Sequence, residues 1–301
     1  MPRLYVVATP IGNLSDLSPR AQEILQACDL IAAEDTRVTR QLLTHFGIHT
    51  PCVSNHRHNE EDRAAPLVAR MLEEDLTVAL VTDAGTPAIS DPGSFLVHAA
   101  AQAGIEVLAV PGPVAMASAL SVSGFDTREF AFYGFLPRAR KDLERKLTAI
   151  AASGIPIAVV HESPHRVTEL VRTVTEMLPG CRISASCDLT KRFEKTLRGD
   201  AETVLEALET NEKTEKGEYC LVLDLHGVTL PAVESAGQEA LPAEVQLLAR
   251  MMEGQDLREA AAALVAQGQR RNDVYRAREA VRRFLDAYGE PDQGEMDGET
   301  D

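Results

Sequence analysis

The chain has 301 residues, of which 45% are hydrophobic and 25% are charged, an ordinary globular composition that predicts about two domains. A net charge of −16 argues against a surface that binds polyanions everywhere. Five cysteines without a CxxC pair argue against a disulfide framework or a zinc ribbon. We therefore expect a cytoplasmic protein, with neither a signal peptide nor a membrane-spanning helix.

The first part of the chain alternates buried strands with helices. Strands are predicted at 4–8, 30–33, 77–82 and 105–110, and each ends in a polar or Gly/Pro loop. These loops are TPIGN, AEDTR, DAGTPAISDPG and PGPVA. Four such units in about 125 residues predict a largely parallel, helix-covered sheet whose loops share one edge. Open α/β sheets bind their ligands at that edge.

The segment 77–93 is the unit around which the others are organised. Asp83 closes its strand, and Asp91 followed by Pro92 predicts the N-cap and first residue of the next helix. Upstream of it, residues 51–59 are predicted to be irregular. His56 and His58 in that stretch have no third ligand at metal spacing, so we expect a polar loop and no metal site.

The second half of the chain has a different pattern. Strands are predicted at 130–136, 156–161, 182–188, 193–199 and 219–225, separated by helices. Residues 243–288 predict three short helices, and the Gly- and acid-rich C-terminus predicts disorder. The predicted domains are an N-terminal α/β domain (1–125), a second α/β domain (126–228), a helical module (229–288) and an acidic tail (289–301).

Six motifs occur in order: LYVVATPIGNLSDLS from residue 4, DLIAAEDTR at 29–37, VTDAGTPAISDPG at 81–93, VPGPVA at 110–115, HESPHR at 161–166 and LTKRFEKTLRG at 189–199. Together they resemble the ribosomal RNA methyltransferases of the tetrapyrrole methylase (class III methyltransferase) superfamily. The resemblance covers residues 4–225 and extends more loosely to about 285.

The resemblance implies a two-domain, tetrapyrrole-methylase-like α/β fold with a small C-terminal helical module. It implies S-adenosylmethionine bound in the cleft that the second α/β domain completes, usually in a homodimer. The implied reaction is 2′-O-ribose methylation of a cytidine in the decoding region of 16S rRNA, within the small ribosomal subunit.

The resemblance assigns cofactor binding to mostly small residues at the strand ends. They are Pro10, Gly12, Asp83, Gly85, Thr86, Val114, Ala115, Leu189 and Thr190. Glycine lets main-chain groups approach a ligand closely. The same glycines also suit turn geometry, and Asp83 also suits a structural cap at the end of its strand.

Methyl transfer to a ribose hydroxyl requires alignment of the reacting atoms and a group that accepts the hydroxyl proton. The unranked candidates for catalysis are Glu34, Asp35, Glu162 and Lys191. Asp35 or Thr36 also suits the N-cap of the following helix. Cys187-Asp188 depart from the family pattern, which usually has Arg-Glu before Leu-Thr-Lys.

RNA contacts must come from local basic patches, because the overall charge is unfavourable. The candidates are Arg37, His165, Arg166, Arg270, Arg271 and Tyr275. Basic runs at 138–146 and 270–283 predict either RNA contact or solvated helix faces with i,i+4 ion pairs. Tyr275 among arginines suits stacking on a base.

Two other functions fit the same sequence. One is methylation of a small corrin or porphyrin precursor, and the other is RNA binding by a non-catalytic ribosome assembly protein. The AEDTR and SPHR motifs and the arginine-rich module favour an RNA substrate over a tetrapyrrole. A nucleotide-hydrolysing enzyme is disfavoured, since the chain has neither GxxxxGK[ST] nor GxGxxG.

Overall fold

The computed structural model describes residues 1–228, 242–252 and 254–288, with side chains to residue 285. Its contacts divide the chain into two compact units, Met1–Leu230 and Pro231–Asp301. The predicted domain bounds are finer than this division and stay a prediction. The predicted tail at 289–301 lies outside the described residues. No helix in the described residues is long and apolar enough to span a membrane.

The first unit begins with a five-stranded sheet in the order β3-β2-β4-β1-β5, in which every pair is parallel. Its strands are β1 (Arg3–Val7), β2 (Leu30–Ala33), β3 (Cys52–Ser54), β4 (Thr77–Val81) and β5 (Glu106–Val110). The helices around it are α1 (Pro19–Ala27), α2 (Thr36–His45), α3 (Glu60–Glu73), α4 (Ser94–Gln102) and α5 (Ala115–Ser123). The carboxyl ends of all five strands therefore lie at one edge, as the sequence predicts.

Both faces of this sheet are buried, which explains its continuous apolar strands. In β4, Val78 and Leu80 pack in one core with residues of α3 and α4. Ala79 and Val81 point to the other face and pack with residues of α1 and α2. Because successive side chains of a strand alternate between faces, a single strand contributes to both cores.

Two local predictions were wrong. Strand β3 lies inside the stretch predicted to be irregular, and its three residues are too few to show a period. Helix α4 begins at Ser94 with Gly93 as its N-cap, and not at Asp91-Pro92. The backbone N–H of Gly93 donates to the buried carboxylate of Glu60, which places the helix start after the proline. Asp35 is the N-cap of α2, and its side chain accepts from the N–H of Arg37.

The second sheet is mixed and has the order β6-β7-β10-β8-β9. Its strands are β6 (Phe130–Phe135), β7 (Ile157–Glu162), β8 (Arg182–Cys187), β9 (Lys195–Asp200) and β10 (Tyr219–Asp224). Only β6 and β7 are parallel. One face packs on α6 (Arg140–Ala151), α7 (Val167–Met177) and α8 (Ala201–Glu209), and the other face packs on α5. Helix α5 thus follows the last strand of the first sheet in the chain but packs on the second sheet.

The second unit contains α9 (Ala243–Met252), α10 (Leu257–Ala266) and α11 (Arg271–Tyr288), the three helices that the apolar pattern predicts. Their shared core includes Leu247, Leu264 and Val281. Asp256 begins α10 with a capping box, in which its carboxylate accepts from the N–H of Glu259 and the Glu259 carboxylate accepts in return.

We expect Leu221→Ala to lower the free energy of unfolding by about 2–5 kcal/mol, because it empties a fully buried position in the central strand β10. Chemical denaturation followed by circular dichroism measures this loss. The matched control is Leu72→Ala, whose leucine is 50% exposed on α3 and should change stability by no more than about 0.5 kcal/mol. Equal losses in the two variants would contradict the assignment of the core.

Candidate active site

A cavity of about 430 Å³ lies between the loops of the first sheet and the β6–β7 end of the second. Its volume falls in the range of about 300–1,000 Å³ that is typical of small-molecule sites. The lining comes from residue 11 and from 84–86, 89–91, 114–116, 132, 135, 161–164 and 218–219. Five of the six sequence motifs, all but DLIAAEDTR, therefore reach this cavity or its border.

Two central loops of the first sheet are joined by a short backbone bridge. The N–H of Thr9 donates to the carbonyl of Gly85 at 2.8 Å, and the N–H of Gly85 donates back at 3.1 Å. The Thr9 hydroxyl donates to the carbonyl of Thr82 at 3.0 Å. Gly85 has φ +87°, a left-handed conformation that favours glycine. The bridge holds the loops after β1 and β4 together at the cavity wall.

Gly12 provides the contact between the first loop and the LTK motif. A Cβ atom on Gly12 would lie 2.5 Å from Cγ of Lys191 and 2.9 Å from the Thr190 hydroxyl, so only glycine fits. The Thr190 backbone N–H donates to Glu194 at 2.7 Å, while its buried hydroxyl has no partner among the described residues. Thr190 itself does not line the cavity, although its neighbour Leu189 lines an adjoining pocket.

The predicted cofactor residues fall into three groups. Those that line the main cavity are Gly85, Thr86, Val114 and Ala115. Four residues border it. Leu189 lines an adjoining pocket of about 60 Å³, and Thr190 follows it in the sequence. Pro10 and Gly12 flank the lining residue Ile11. Asp83 is not part of the lining, and its carboxylate accepts from the backbone N–H of Asp35 at 3.0 Å.

The carboxylates at the ends of β2 and β4 form a chain of contacts. Glu34 accepts from the backbone N–H of Asp83 at 3.3 Å, and burial raises the pKa of Glu34. Burial also raises the pKa of Asp83, against the lowering effect of the hydrogen bond that it accepts from the backbone N–H of Asp35. Asp35 pairs with the exposed Arg37 at 2.6 Å, and this hydrogen-bonded pair lowers the pKa of Asp35 to about 2. Arg37, which is predicted to bind RNA, thus forms an ion pair with Asp35 within the protein.

Asp91 is a cavity residue that the sequence prediction missed. Its pKa is raised to about 6, first by burial and then by the negative charges of Glu34 and Asp83, against the opposing effect of Arg57. The carboxylate makes no hydrogen bond or ion pair within the described part of the chain. The sequence signal for a site role is that Asp91 lies in the same loop as Asp83. Because Asp-Pro also matches a helix start, the sequence favours the N-cap interpretation for Asp91.

Glu162 is the other acidic residue deep in the cavity. Its side chain is buried and pairs with Arg166 at 3.0 Å, and Oε1 accepts from the N–H of Ser163 at 2.7 Å. Arg166 also donates to the carbonyls of 136 and 137, so this predicted RNA contact is engaged inside the protein. His165 is exposed, 4.0 Å from Glu215. Burial lowers the pKa of the lining residue His161, which keeps it neutral.

Lys191 is held by two carboxylates. Its ammonium donates to Asp188 at 2.9 Å and to Glu218 at 2.8 Å. Burial lowers the pKa of Lys191, but the two ion pairs more than offset it, so that the pKa is raised. The group therefore stays protonated at neutral pH and does not accept a proton there. Asp188, part of the departure from the family pattern, supplies one of these two partners.

The two basic runs differ in how far they are neutralised. On α6, Arg140 bonds to three glutamates, Glu144, Glu169 and Glu176. On α11 and just before it, Arg270 and Arg271 are exposed. Tyr275 is 58% exposed, and the guanidinium of Arg278 lies 5.0 Å from its ring centre. Arg138 and Lys141 of the first run are also exposed, so the exposed ring of Tyr275 is the feature that favours the run at 270–283 for RNA contact.

No group of three His, Cys, Asp or Glu side chains that could hold a metal ion occurs among the residues that the structure describes. The rings of His56 and His58 lie 6.1 Å apart. The neighbouring Arg57 instead contacts the loop that carries Asp91, because its guanidinium donates to the carbonyl of Ser90 at 2.8 Å.

Solved structures with the same fold include a diphthine synthase, with a TM-score of 0.58 and 13% identity, covering 76% of this chain and 92% of that one. A uroporphyrin-III C-methyl transferase from Thermus thermophilus, complexed with S-adenyl homocysteine, has a TM-score of 0.50 and 15% identity over 74% of this chain and 97% of that one. The predicted fold class is confirmed.

The family model of Tetrapyrrole (Corrin/Porphyrin) Methylases matches residues 3–205. A curated relative from Escherichia coli O157:H7, ribosomal RNA small subunit methyltransferase I, is 39% identical over 91% of this chain and 93% of its own. One of the same name from Xylella fastidiosa strain Temecula1 is 45% identical over 73% of this chain and 80% of its own. The chain therefore belongs to the tetrapyrrole (corrin/porphyrin) methylases, in the family of ribosomal RNA small subunit methyltransferase I.

Proposed function

We propose that this chain uses S-adenosylmethionine to methylate the ribose 2′-hydroxyl of a cytidine in the decoding region of 16S rRNA. The observation that carries the proposal is the cavity built from the motif loops, in a chain 39–45% identical to enzymes named for methylating small-subunit rRNA. We also propose that the chain works in the cytoplasm as a homodimer, as the resemblance implies.

The cavity residues fit S-adenosylmethionine. Apolar side chains such as Ile11, Val114 and Met116 suit the adenosine, and the buried carboxylate of Glu162 suits a ligand with positive charges. When bound, S-adenosylmethionine supplies a methyl carbon attached to a positively charged sulfur.

The protein contributes alignment and proton transfer. Loops from both sheets enclose the site, so a hydroxyl that enters it meets the cofactor at a fixed angle and with little water. Among the predicted catalytic residues, Asp35, Glu162 and Lys191 are engaged in ion pairs. Glu34 accepts one backbone hydrogen bond and has a raised pKa, but it does not line the cavity.

The exposed arginines of α11 favour RNA over a corrin or porphyrin precursor. A ribose methyltransferase must hold a polyanion, and phosphate contacts come from arginines that are not already paired within the protein. An enzyme that methylates a small tetrapyrrole does not need a separate helical unit with exposed arginines to bind its substrate.

The decisive experiment is transfer of labelled methyl from S-adenosylmethionine to small ribosomal subunits that lack the modification. We expect label in 16S rRNA, on the 2′-oxygen of one cytidine. Subunits that already carry the methyl group are the control and should take up none. Absence of label from the unmodified subunits would refute the proposed function.

We expect Ala115→Leu to weaken S-adenosylmethionine binding about 10-fold or more, because added side-chain volume in a packed site costs about 1–3 kcal/mol. Isothermal titration calorimetry measures the affinity. Ala117→Leu is the matched control, since Ala117 is exposed on the same helix and does not line the cavity. Equal affinities for the two variants would show that the cofactor binds elsewhere.

Arg271→Ala should weaken rRNA binding and reduce the dependence of log affinity on log salt by about one unit, as expected for one lost phosphate contact. Arg258→Ala removes an exposed arginine from α10 in the same unit and should leave the salt dependence unchanged. Filter binding at several salt concentrations measures both. An unchanged salt slope for Arg271→Ala would contradict the RNA role of this run.

A further inference from the structure

Asp91 differs from the other carboxylates of the cavity because it has no partner in the part of the chain that the structure describes. Glu162 pairs with Arg166, and Glu218 pairs with Lys191. Within the described residues, Asp91 accepts no hydrogen bond and forms no ion pair, although it is half-buried in the cavity wall. A carboxylate in this condition has its lone pairs available to a bound molecule.

The loop that presents Asp91 is strained and held from outside. Ala88 and Ser90 have φ of 65° and 69°, a conformation that costs about 1–3 kcal/mol for a residue with a side chain. Arg57 donates to the carbonyl of Ser90, and Glu60 accepts from the N–H of Gly93. Contacts on both sides of Asp91 thus fix the backbone, and strain of this kind is typical of preorganised sites.

The charges that act on Asp91 come from three separate elements. Glu34 at the end of β2 and Asp83 at the end of β4 add negative charge, and Arg57 after β3 adds one positive charge. Burial and then the negative charges of Glu34 and Asp83 raise the pKa of Asp91 to about 6, against the lowering effect of Arg57. A general base works best when its pKa lies near the operating pH, because it is then both ionised and able to hold a proton.

We propose that Asp91 accepts the proton of the hydroxyl that is methylated. The inference rests on the proposed function and names a base for it that the sequence-based candidates do not include. As the hydroxyl oxygen forms its bond to the methyl carbon, the carbon–sulfur bond breaks and its electron pair stays on sulfur. The hydroxyl proton passes to the Asp91 carboxylate. The positive charge on sulfur and the negative charge on the Asp91 carboxylate are therefore both lost in this step.

The test is Asp91→Asn in the full-length chain, with unmodified small subunits and S-adenosylmethionine. We expect the single-turnover rate of methyl transfer to fall about 10²–10⁴-fold, the usual contribution of a general base. Cofactor affinity by calorimetry should stay within about threefold of wild type, because the amide retains the size of the side chain. Asp91→Glu should recover part of the rate, and Asp62→Asn, at an exposed position on α3, should retain all of it.

The pH dependence provides a second readout. Below a pH of about 6 the wild-type Asp91 is protonated, so kcat/KM should fall as pH decreases through that value. Asp91→Asn should lack this acidic limb. Arg57→Gln removes the charge that lowers the pKa of Asp91, so the midpoint of the limb should move to higher pH.

The outcomes separate this inference from the function on which it rests. If wild type and Asp91→Asn transfer methyl groups at similar rates, Asp91 is not the base, although the proposed function stands. If Asp91→Asn loses cofactor binding, Asp91 holds the cofactor, and the inference is also overturned. If the wild type transfers no methyl group to the unmodified subunits, both the function and the inference fail.

Discussion

The two hydrogen bonds between Thr9 and Gly85 are the constraint on which the site depends. They join the loops that follow β1 and β4, which are neighbouring parallel strands at the centre of the first sheet. From this point Ile11 reaches the cavity and Gly12 contacts Thr190 and Lys191 beside the second sheet. A residue other than glycine at 85 or 12 would strain the backbone or displace the neighbouring side chains, and the cavity would change shape.

The distribution of charge fits a protein that holds a cationic cofactor and an anionic substrate. The cavity contains acidic side chains such as Asp91 and Glu162, in accord with the net charge of −16. On α6, Arg140 is paired with glutamates of α6 and α7, whereas the run at 270–283 includes exposed arginines beside the exposed ring of Tyr275. Local neutralisation, more than the number of basic residues, determines which surface suits RNA.

The elements that the sequence predicts well are those with long, regular patterns. Strands β1, β4 and β10 agree with their predicted bounds to within one or two residues, and residues 243–288 contain the three predicted helices. The three-residue strand β3 was missed because so short a segment carries no period. The start of α4 was misplaced because Asp91-Pro92 matches a helix N-terminus locally, whereas the contact of Gly93 with Glu60, 33 residues away, decides where the helix begins.

The sequence by itself determined the order of the elements, the loops that carry the site and the family, because these depend on local patterns and on motifs. Only the tertiary structure decided which charged groups neutralise one another. Lys191 pairs with Glu218, and Arg140 pairs with Glu169 and Glu176. Such pairings depend on distances between residues that are remote in the chain, and among the residues that the structure describes they leave Asp91 unpaired in the wall of the cavity.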